Sequence, residues 1–322
     1  MTLEEFLDEW HNDDDCIVVK TSGSTGTPKL LRMEKRRMEA SARMTLRFLG
    51  LHPGQTALLC MPLDYIAAKM MVVRALVGNL RLVSVEPSGH PLADSGVGET
   101  LIDFAAMVPL QVYNTLMVPE EKERLMKVGQ LIIGGGAVSQ ALASEIAGLP
   151  NPVWSTYGMT ETLSHVAMRR LNGPQRESWY TPLEGVGIGQ DEDGCLLIDA
   201  PLLCQQVLHT NDVVRLHDDG RRFMVLGRKD NVVCCGGVKI QAEEVEERLQ
   251  PYVDVPFFVG KEKDDKFGEI LVLVVESRDK KLLEDIINNV LPKYWRPRKI
   301  YSVGKLPLTE TGKPKRFVEN FG

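Results

Sequence analysis

The 322-residue sequence contains no apolar run of the roughly 20 residues that a membrane-spanning helix requires, so no such helix is expected. Its first residues, MTLEEFLDEWHNDDD, lack the basic start and apolar stretch of a secretory signal, and export is not expected. Basic charge is in short supply: 38 Lys and Arg stand against 44 Asp and Glu, a net charge of −6. A general nucleic-acid binder carries a basic footprint, and that class is set aside. The short basic run Lys35-Arg36-Arg37 sits in an amphipathic pattern and reads as a solvated helix face. Cysteine is sparse. Cys16, Cys60, Cys195, Cys204, Cys234 and Cys235 show no CxxC spacing, so no zinc site is indicated. Most lie in apolar runs such as CIVV and ALLCM and read as free buried thiols of a cytoplasmic protein. The Walker A pattern GxxxxGK[ST] is absent. LIIGGGAVSQA only partly matches GxGxxG: Ser139 stands at the last glycine, and no acidic residue follows at about 20 positions, which disfavours a Rossmann dehydrogenase. No internal repeat and no low-complexity segment occurs.

What is present is an alternation of short apolar runs and helical patterns. CIVVK is followed by a loop, a helix over about Glu34 to Leu49 stopped by Gly50, and a buried strand TALLCM. A helix from Ile66 to Val77 ending at Gly78 and the strand RLVSVE come next. QLIIGGG, PVWSTYG and SHVAMRRL read as strands, with a helix over Gln140 to Ala147 between the first two. Such alternation predicts an α/β fold with a largely parallel sheet covered by helices. The pattern then changes. DVVRLHDDGRRFMVLG reads as a hairpin turning at Asp218-Asp219-Gly220. NVVCCGGVKI, an acidic helix at Glu243 to Leu249, the strands VPFFVG and EILVLVVES, and a helix from Lys280 to Leu291 complete a small α+β domain. The expected domains are 1–229 and 230–322.

Several stretches carry chemistry. In KTSGSTGTPKLL, Gly23 and Gly26 allow successive N–H groups to converge on an anion. Thr21, Ser22, Ser24, Thr25 and Thr27 add hydroxyls, and Lys29 adds a point charge suited to phosphate. By composition alone the stretch is either a phosphate cradle or a flexible linker. STYGMTET offers an aromatic ring, hydroxyls and the carboxylate of Glu161, which suits magnesium beside phosphate oxygens. Asp212, in HTNDVV, is placed to accept hydrogen bonds from a ribose diol. GRKDNVVCCGGVKI marks the proposed junction, and PLTETGKPKR carries Lys313 on a Gly-Lys-Pro turn.

Taken in order, TSGSTGTPK, YGMTE, TND, GRKDNVV with its following GG and KI, and LTETGK resemble the motifs of the adenylate-forming superfamily. That superfamily includes acyl- and aryl-CoA synthetases, adenylation domains of peptide synthetases and luciferases. The resemblance favours the phosphate cradle at Thr21 to Lys29. It implies a truncated adenylate-forming large domain with mixed sheets and helices, followed by a small mobile α+β C-terminal domain. It also implies that a carboxylate attacks the α-phosphate of ATP, that pyrophosphate leaves, and that a thiol, usually of CoA, displaces AMP. By the resemblance, Thr21 to Lys29 hold the leaving phosphates, Glu161 binds Mg2+ and Thr160 touches the α-phosphate. Gly134, Gly135 and Gly136, with Thr156, Tyr157 and Gly158, line the adenine pocket; Asp212 and Arg228 take the ribose hydroxyls. Lys313 bridges the attacking carboxylate and the phosphate. Asp230 is the hinge about which the small domain turns to bring Gly236, Gly237 and Lys239 toward the thiol.

Two departures stand out. Family members carry a long region before the phosphate loop, and here 20 residues precede it, so a trimmed core is expected, with a homodimer as one way to cover its surface. Tyr65 stands where many relatives have a His. YGMTETLSHVAMR, MVPLQVYNTL and PLEGVGIGQDEDGCLLI are most similar to the o-succinylbenzoate–CoA ligases of menaquinone synthesis. Such an acid keeps a second carboxylate, for which Lys69 is the candidate cation and Ser164 and His165 the candidate donors. Ligases for another aryl or fatty acid, and a non-catalytic adenylate-binding regulator, are the alternatives. The expected partners are a small carboxylic acid, ATP and CoA. If Lys313 serves only the first half-reaction, Lys313→Ala should abolish adenylate formation yet leave thioester formation from a preformed acyl-adenylate. Equal loss in both half-reactions would contradict a turning domain.

Overall fold

The computed structural model describes residues 1–20, 30–276, 279–307 and 316. Packing divides the chain into two compact units: Met1–Ile188, Ile198–Leu208 and His217–Phe223 form the first, and Gly189–Leu197, His209–Leu216 and Met224–Gly322 the second.

Helix α1 (Leu3–His11) begins at a capping box in which Thr2 and Glu5 satisfy each other's free N–H groups. Strands β1 (Cys16–Lys20) and β2 (Leu30–Glu34) pair antiparallel, with Lys20 opposite Leu30. The segment 21–29 therefore connects two paired strands, not two domains; its own residues lie outside those described. Helix α2 (Lys35–Leu49) ends at Gly50, which takes φ +64, the left-handed stop expected from the sequence. Strand β3 (Thr56–Leu59) is wholly buried. Helix α3 (Ile66–Gly78) runs through Gly78, and Asn79 (φ +50) is the left-handed residue instead, a conformation Asn tolerates.

Strand β4 (Arg81–Ser84) and β5 (Phe104–Met107) precede helices α4 (Pro109–Met117) and α5 (Pro119–Leu125). Both helices open on a proline at their first position, where its missing N–H costs nothing. Then come β6 (Gln130–Ile133), α6 (Gln140–Ala147), β7 (Val153–Gly158), β8 (His165–Arg170) and β9 (Thr181–Pro182). Seven strands join in the order β4-β3-β5-β6-β7-β8-β9. The first five are parallel and the last two antiparallel, so the largely parallel expectation holds up to β7. The C-terminal ends of β6 and β7, where ligands bind in open α/β sheets, carry Gly134-Gly135-Gly136 and Thr156-Tyr157-Gly158 side by side.

Strands β10 (Gly187–Gln190), β11 (Cys195–Asp199), β12 (Leu208–Leu216) and β13 (Phe223–Arg228) form a four-stranded sheet in that order. The second unit adds β14 (Val232–Cys235), β15 (Val238–Gln241), α7 (Ala242–Leu249), β16 (Phe257–Asp264), β17 (Gly268–Val275), α8 (Lys280–Val290) and β18 (Lys299–Ser302). β17 is buried on both faces. Leu271, Leu273 and Val275 pack with Val245 and Leu249 of α7 and Leu283 and Ile287 of α8, while Ile270, Val272 and Val274 pack with Phe258 and Leu306. A strand covered on both sides reads as a continuous apolar run, as ILVLVV does. Arg316 is tied to this unit: its guanidinium forks onto both oxygens of Glu246, with Nη2 at 2.8 Å, and also donates to the Val259 carbonyl at 2.6 Å.

Candidate active site

The glycine run after β6 is shaped by close approach. A Cβ on Gly134 would lie 2.6 Å from Thr156 Oγ1, and that hydroxyl donates to the Ile133 carbonyl at 3.1 Å. Strand β7 ends on Tyr157, whose ring meets Phe223 edge-on at 5.0 Å and Tyr180 at 5.8 Å. Beyond it the chain folds into a tight turn. Thr162 is fully buried; its hydroxyl accepts from the Met159 N–H at 2.9 Å and lies 2.6 Å from the Ser164 carbonyl. Leu163 takes φ +67, unusual for a bulky side chain and a sign that the surroundings hold it there. Within this turn Thr160 is half-buried and Glu161 is exposed. The Cys204 thiol lies 3.3 Å from the Glu161 carbonyl, and burial pushes that thiol's pKa up.

Behind the turn are two basic side chains, of which the sequence reading named only the second. Arg74, on α3, is 2 % exposed. It donates to Ser164 Oγ at 2.8 Å, its Nε has no partner, and no carboxylate among the described residues pairs with it. Burial pushes its pKa down to about 9, so the guanidinium keeps its charge at neutral pH. His165 Nε2 meets Thr45 Oγ1 at 2.9 Å, and burial, with the Arg74 charge adding, holds the ring neutral by lowering its pKa well below the usual value. It is a satisfied core histidine. Lys69 is also buried, which excludes the surface snorkelling that its long stem allows. Its ammonium lies 4.9 Å from the Phe6 ring centroid, 3.9 Å from Glu9 and 2.9 Å from Met1 Sδ, all at the N-terminal helix. Burial lowers its pKa, against the raising effect of Glu9 and Asp64. Tyr65 is exposed and precedes α3.

In the second unit, Arg228 bridges Asp212 at 3.3 Å and Asp230 at 3.0 Å. Gln241 donates to the Arg228 carbonyl at 2.9 Å, and Glu243 accepts from Asn231 at 2.5 Å. Gly236 and Gly237, with φ of +57 and +84, form the turn of the β14–β15 hairpin, and Lys239 is exposed beside it. Lys313 and the segment from Thr21 to Lys29 lie outside the described residues. No group of three or more His, Cys, Asp or Glu among the described residues is placed to hold a metal ion. A magnesium ion at Glu161 would take one carboxylate and complete its oxygen shell from phosphate and water, which its chemistry permits. No described helix is long and apolar enough to cross a membrane.

The sequence profile of the AMP-binding enzyme family matches residues 4–190, more than half of the chain. The chain belongs to the AMP-binding enzyme family. Its fold class and ligase chemistry follow from that membership. A crystal structure of an acyl-CoA synthetase (AMP-forming)/AMP-acid ligase II-like protein from Dyadobacter fermentans is 37% identical, with a TM-score of 0.68, and the match covers 97% of this chain and 91% of that one. A 2-succinylbenzoate–CoA ligase of Lactococcus lactis is 25% identical over 318 residues, 92% of this chain and 69% of that protein. An o-succinylbenzoate coenzyme A synthetase from Bacillus subtilis, solved with ATP and magnesium ion, shares the fold with a TM-score of 0.77 at 22% identity, over 93% of this chain and 68% of that one.

Sequence reasoning missed Arg74. The signal was there: it is a lone charge in MMVVRALV, with no polar face to belong to. A side chain is equally excluded at Gly158, where a Cβ would sit 2.0 Å from the Ser164 carbonyl. Gly158→Ala should therefore displace the Glu161 turn and cost about 2–3 kcal/mol of stability, the scale of overpacking, as read by denaturant unfolding; an unchanged midpoint would mean the turn yields freely.

Proposed function

We propose that this enzyme activates an aryl carboxylic acid that keeps a second, unreacted carboxylate, most closely o-succinylbenzoate, and transfers the acyl group to CoA. The observation that carries the reading is Arg74. A buried guanidinium with no counterion among the described residues is costly, and a substrate carboxylate would compensate it. A fatty acid or an aryl monoacid would leave that charge unanswered. The 2-succinylbenzoate–CoA ligases among the curated relatives support the same choice of acid. In this reading Arg74 and Ser164 receive the unreacted carboxylate, and His165 orients the helix behind them. Lys69 faces the N-terminal helix and is a second cation in reserve on the same helix.

In the first step, a carboxylate oxygen of the acid attacks the α-phosphorus of ATP, and the bond to the β-phosphate bridge breaks with its electrons leaving on pyrophosphate. Charge gathers on the phosphates, so positioned cations and N–H donors supply most of the acceleration. Thr21 to Lys29 hold the leaving phosphates, Thr160 contacts the α-phosphate and Lys313 bridges the two reacting groups. Gly134 to Gly136 and Thr156 to Gly158 enclose the base, and Asp212 and Arg228 hold the ribose. Glu161 would hold Mg2+, which when bound offsets phosphate charge. In the second step the CoA thiolate attacks the acyl carbon and AMP leaves, after a turn about Asp230 that brings Gly236, Gly237 and Lys239 to the thiol.

Arg74→Met, which keeps volume and removes charge, should raise the KM for o-succinylbenzoate by about a hundredfold, the scale of a lost buried charge pair. The KM for ATP should stay as in the parent. A similar loss with an aryl monoacid of equal size, or no loss with the diacid, would contradict the assignment.

A further inference from the structure

Three polar side chains one turn apart on α2, Arg37, Ser41 and Thr45, share one helix face. That face runs along the turn after β7 in matching order. Thr45 meets His165 at 2.9 Å, and Ser41 Oγ lies 3.4 Å from Ser164 Oγ. Arg37 falls at the Glu161 end: its charge and that of Glu161 act on the same Cys204 thiol, which touches the Glu161 carbonyl. The solvated face expected for Lys35-Arg36-Arg37 applies to Arg36 alone. Lys35 donates to the Asn12 carbonyl and side chain, both at 2.9 Å, and the Arg37 side chain is 15% exposed.

Arg37 is half-used. Its Nε donates to Glu34 Oε1 at 3.0 Å, which fixes the plane of the guanidinium. One terminal nitrogen, Nη1, is buried and has no hydrogen-bond partner among the described residues. Its position is also unfavourable for a cation, since the first turn of α2 holds three bases, no acid and the positive end of the helix dipole. Helix stability does not account for an inward-turned arginine there. The Glu34 pair offsets part of that cost, and the buried, unpartnered Nη1 is the part that packing leaves unexplained, which is a mark of function.

We propose that Arg37 donates through Nη1 to an oxygen of the β- or γ-phosphate of ATP, and then to the departing pyrophosphate, beside the carboxylate of Glu161. This rests on the adenylation reading given above. The guanidinium stays protonated throughout and no proton moves; its fork suits two phosphate oxygens in a way that an ammonium does not. Glu34 is its positioning residue.

The test uses the full chain and magnesium pyrophosphate as probe. Arg37→Gln should bind magnesium pyrophosphate at least about tenfold more weakly than the parent by calorimetry, the worth of one charge-assisted bond. Arg37→Lys should recover part of the affinity, and Glu34→Gln should lose a smaller part. The KM for the acid and for CoA, and the unfolding midpoint, should not change. Parent-like pyrophosphate affinity in Arg37→Gln, while Glu161→Gln loses it, would overturn the assignment of Arg37 and leave adenylation standing. A parent chain that neither binds magnesium pyrophosphate nor exchanges it into ATP would overturn the adenylation reading itself.

Discussion

A positive charge removed from water must be answered by something, and among the described residues no carboxylate answers Arg74. Most ion pairs of the described residues sit at a surface, where water and salt make them worth little. Arg74 is different. It lies on α3, 2 % exposed, and meets the Ser164 hydroxyl in the turn after β7, which Ser41 of α2 approaches in its turn. Removing a counterion from a buried charge costs several kcal/mol in typical cases, and in the proposed function the second carboxylate of the acid offsets that cost at Arg74. The same logic holds, more weakly, for the free nitrogen of Arg37. Both cations flank one short turn, and that turn carries the carboxylate of Glu161 on its outer side.

The sheet explains why that turn is where it is. Parallel strands deliver all their C-terminal ends to one edge, so the glycine run after β6 and the Thr-Tyr-Gly at the end of β7 are neighbours by topology. The antiparallel return of β8 then forces the chain to reverse within a few residues, with a register shift at Tyr157 and Gly158. Close backbone approach at Gly158, an inverted φ at Leu163 and the buried hydroxyl of Thr162 are the local means of that reversal. Rigid support of this kind keeps a reacting group in place without reorganisation during the reaction.

Much of this was legible in the sequence, for identifiable reasons. The period of apolar residues marked α2 and its glycine stop, the parallel strands and the strand β17, because those elements obey local rules. The motif order gave the family, since five separated segments agreed with one chemistry. β5, α4 and α5 were not read, because FAAMVPLQVYNTLMVPEE mixes short apolar runs with prolines whose role as helix starters shows only once the strand before them is known. Lys69 and Arg74 lie on the same helix in the same apolar context. Only tertiary packing separates them, giving one an aromatic ring and a carboxylate at α1 and the other the Ser164 hydroxyl and no counterion among the described residues. Arg37 was hidden for a related reason: a basic run on an amphipathic helix says nothing about which of its members turns inward.

The claim that most depends on this arrangement is that the chain forms an acyl-adenylate from a diacid. Acid-dependent exchange of labelled pyrophosphate into ATP, measured across a panel of aryl diacids, aryl monoacids and fatty acids with and without CoA, tests it most directly. The account predicts exchange that requires an acid, is strongest with o-succinylbenzoate, and gives way to thioester formation when CoA is added. Absence of exchange with every acid, or a preference for monoacids over diacids, would contradict it.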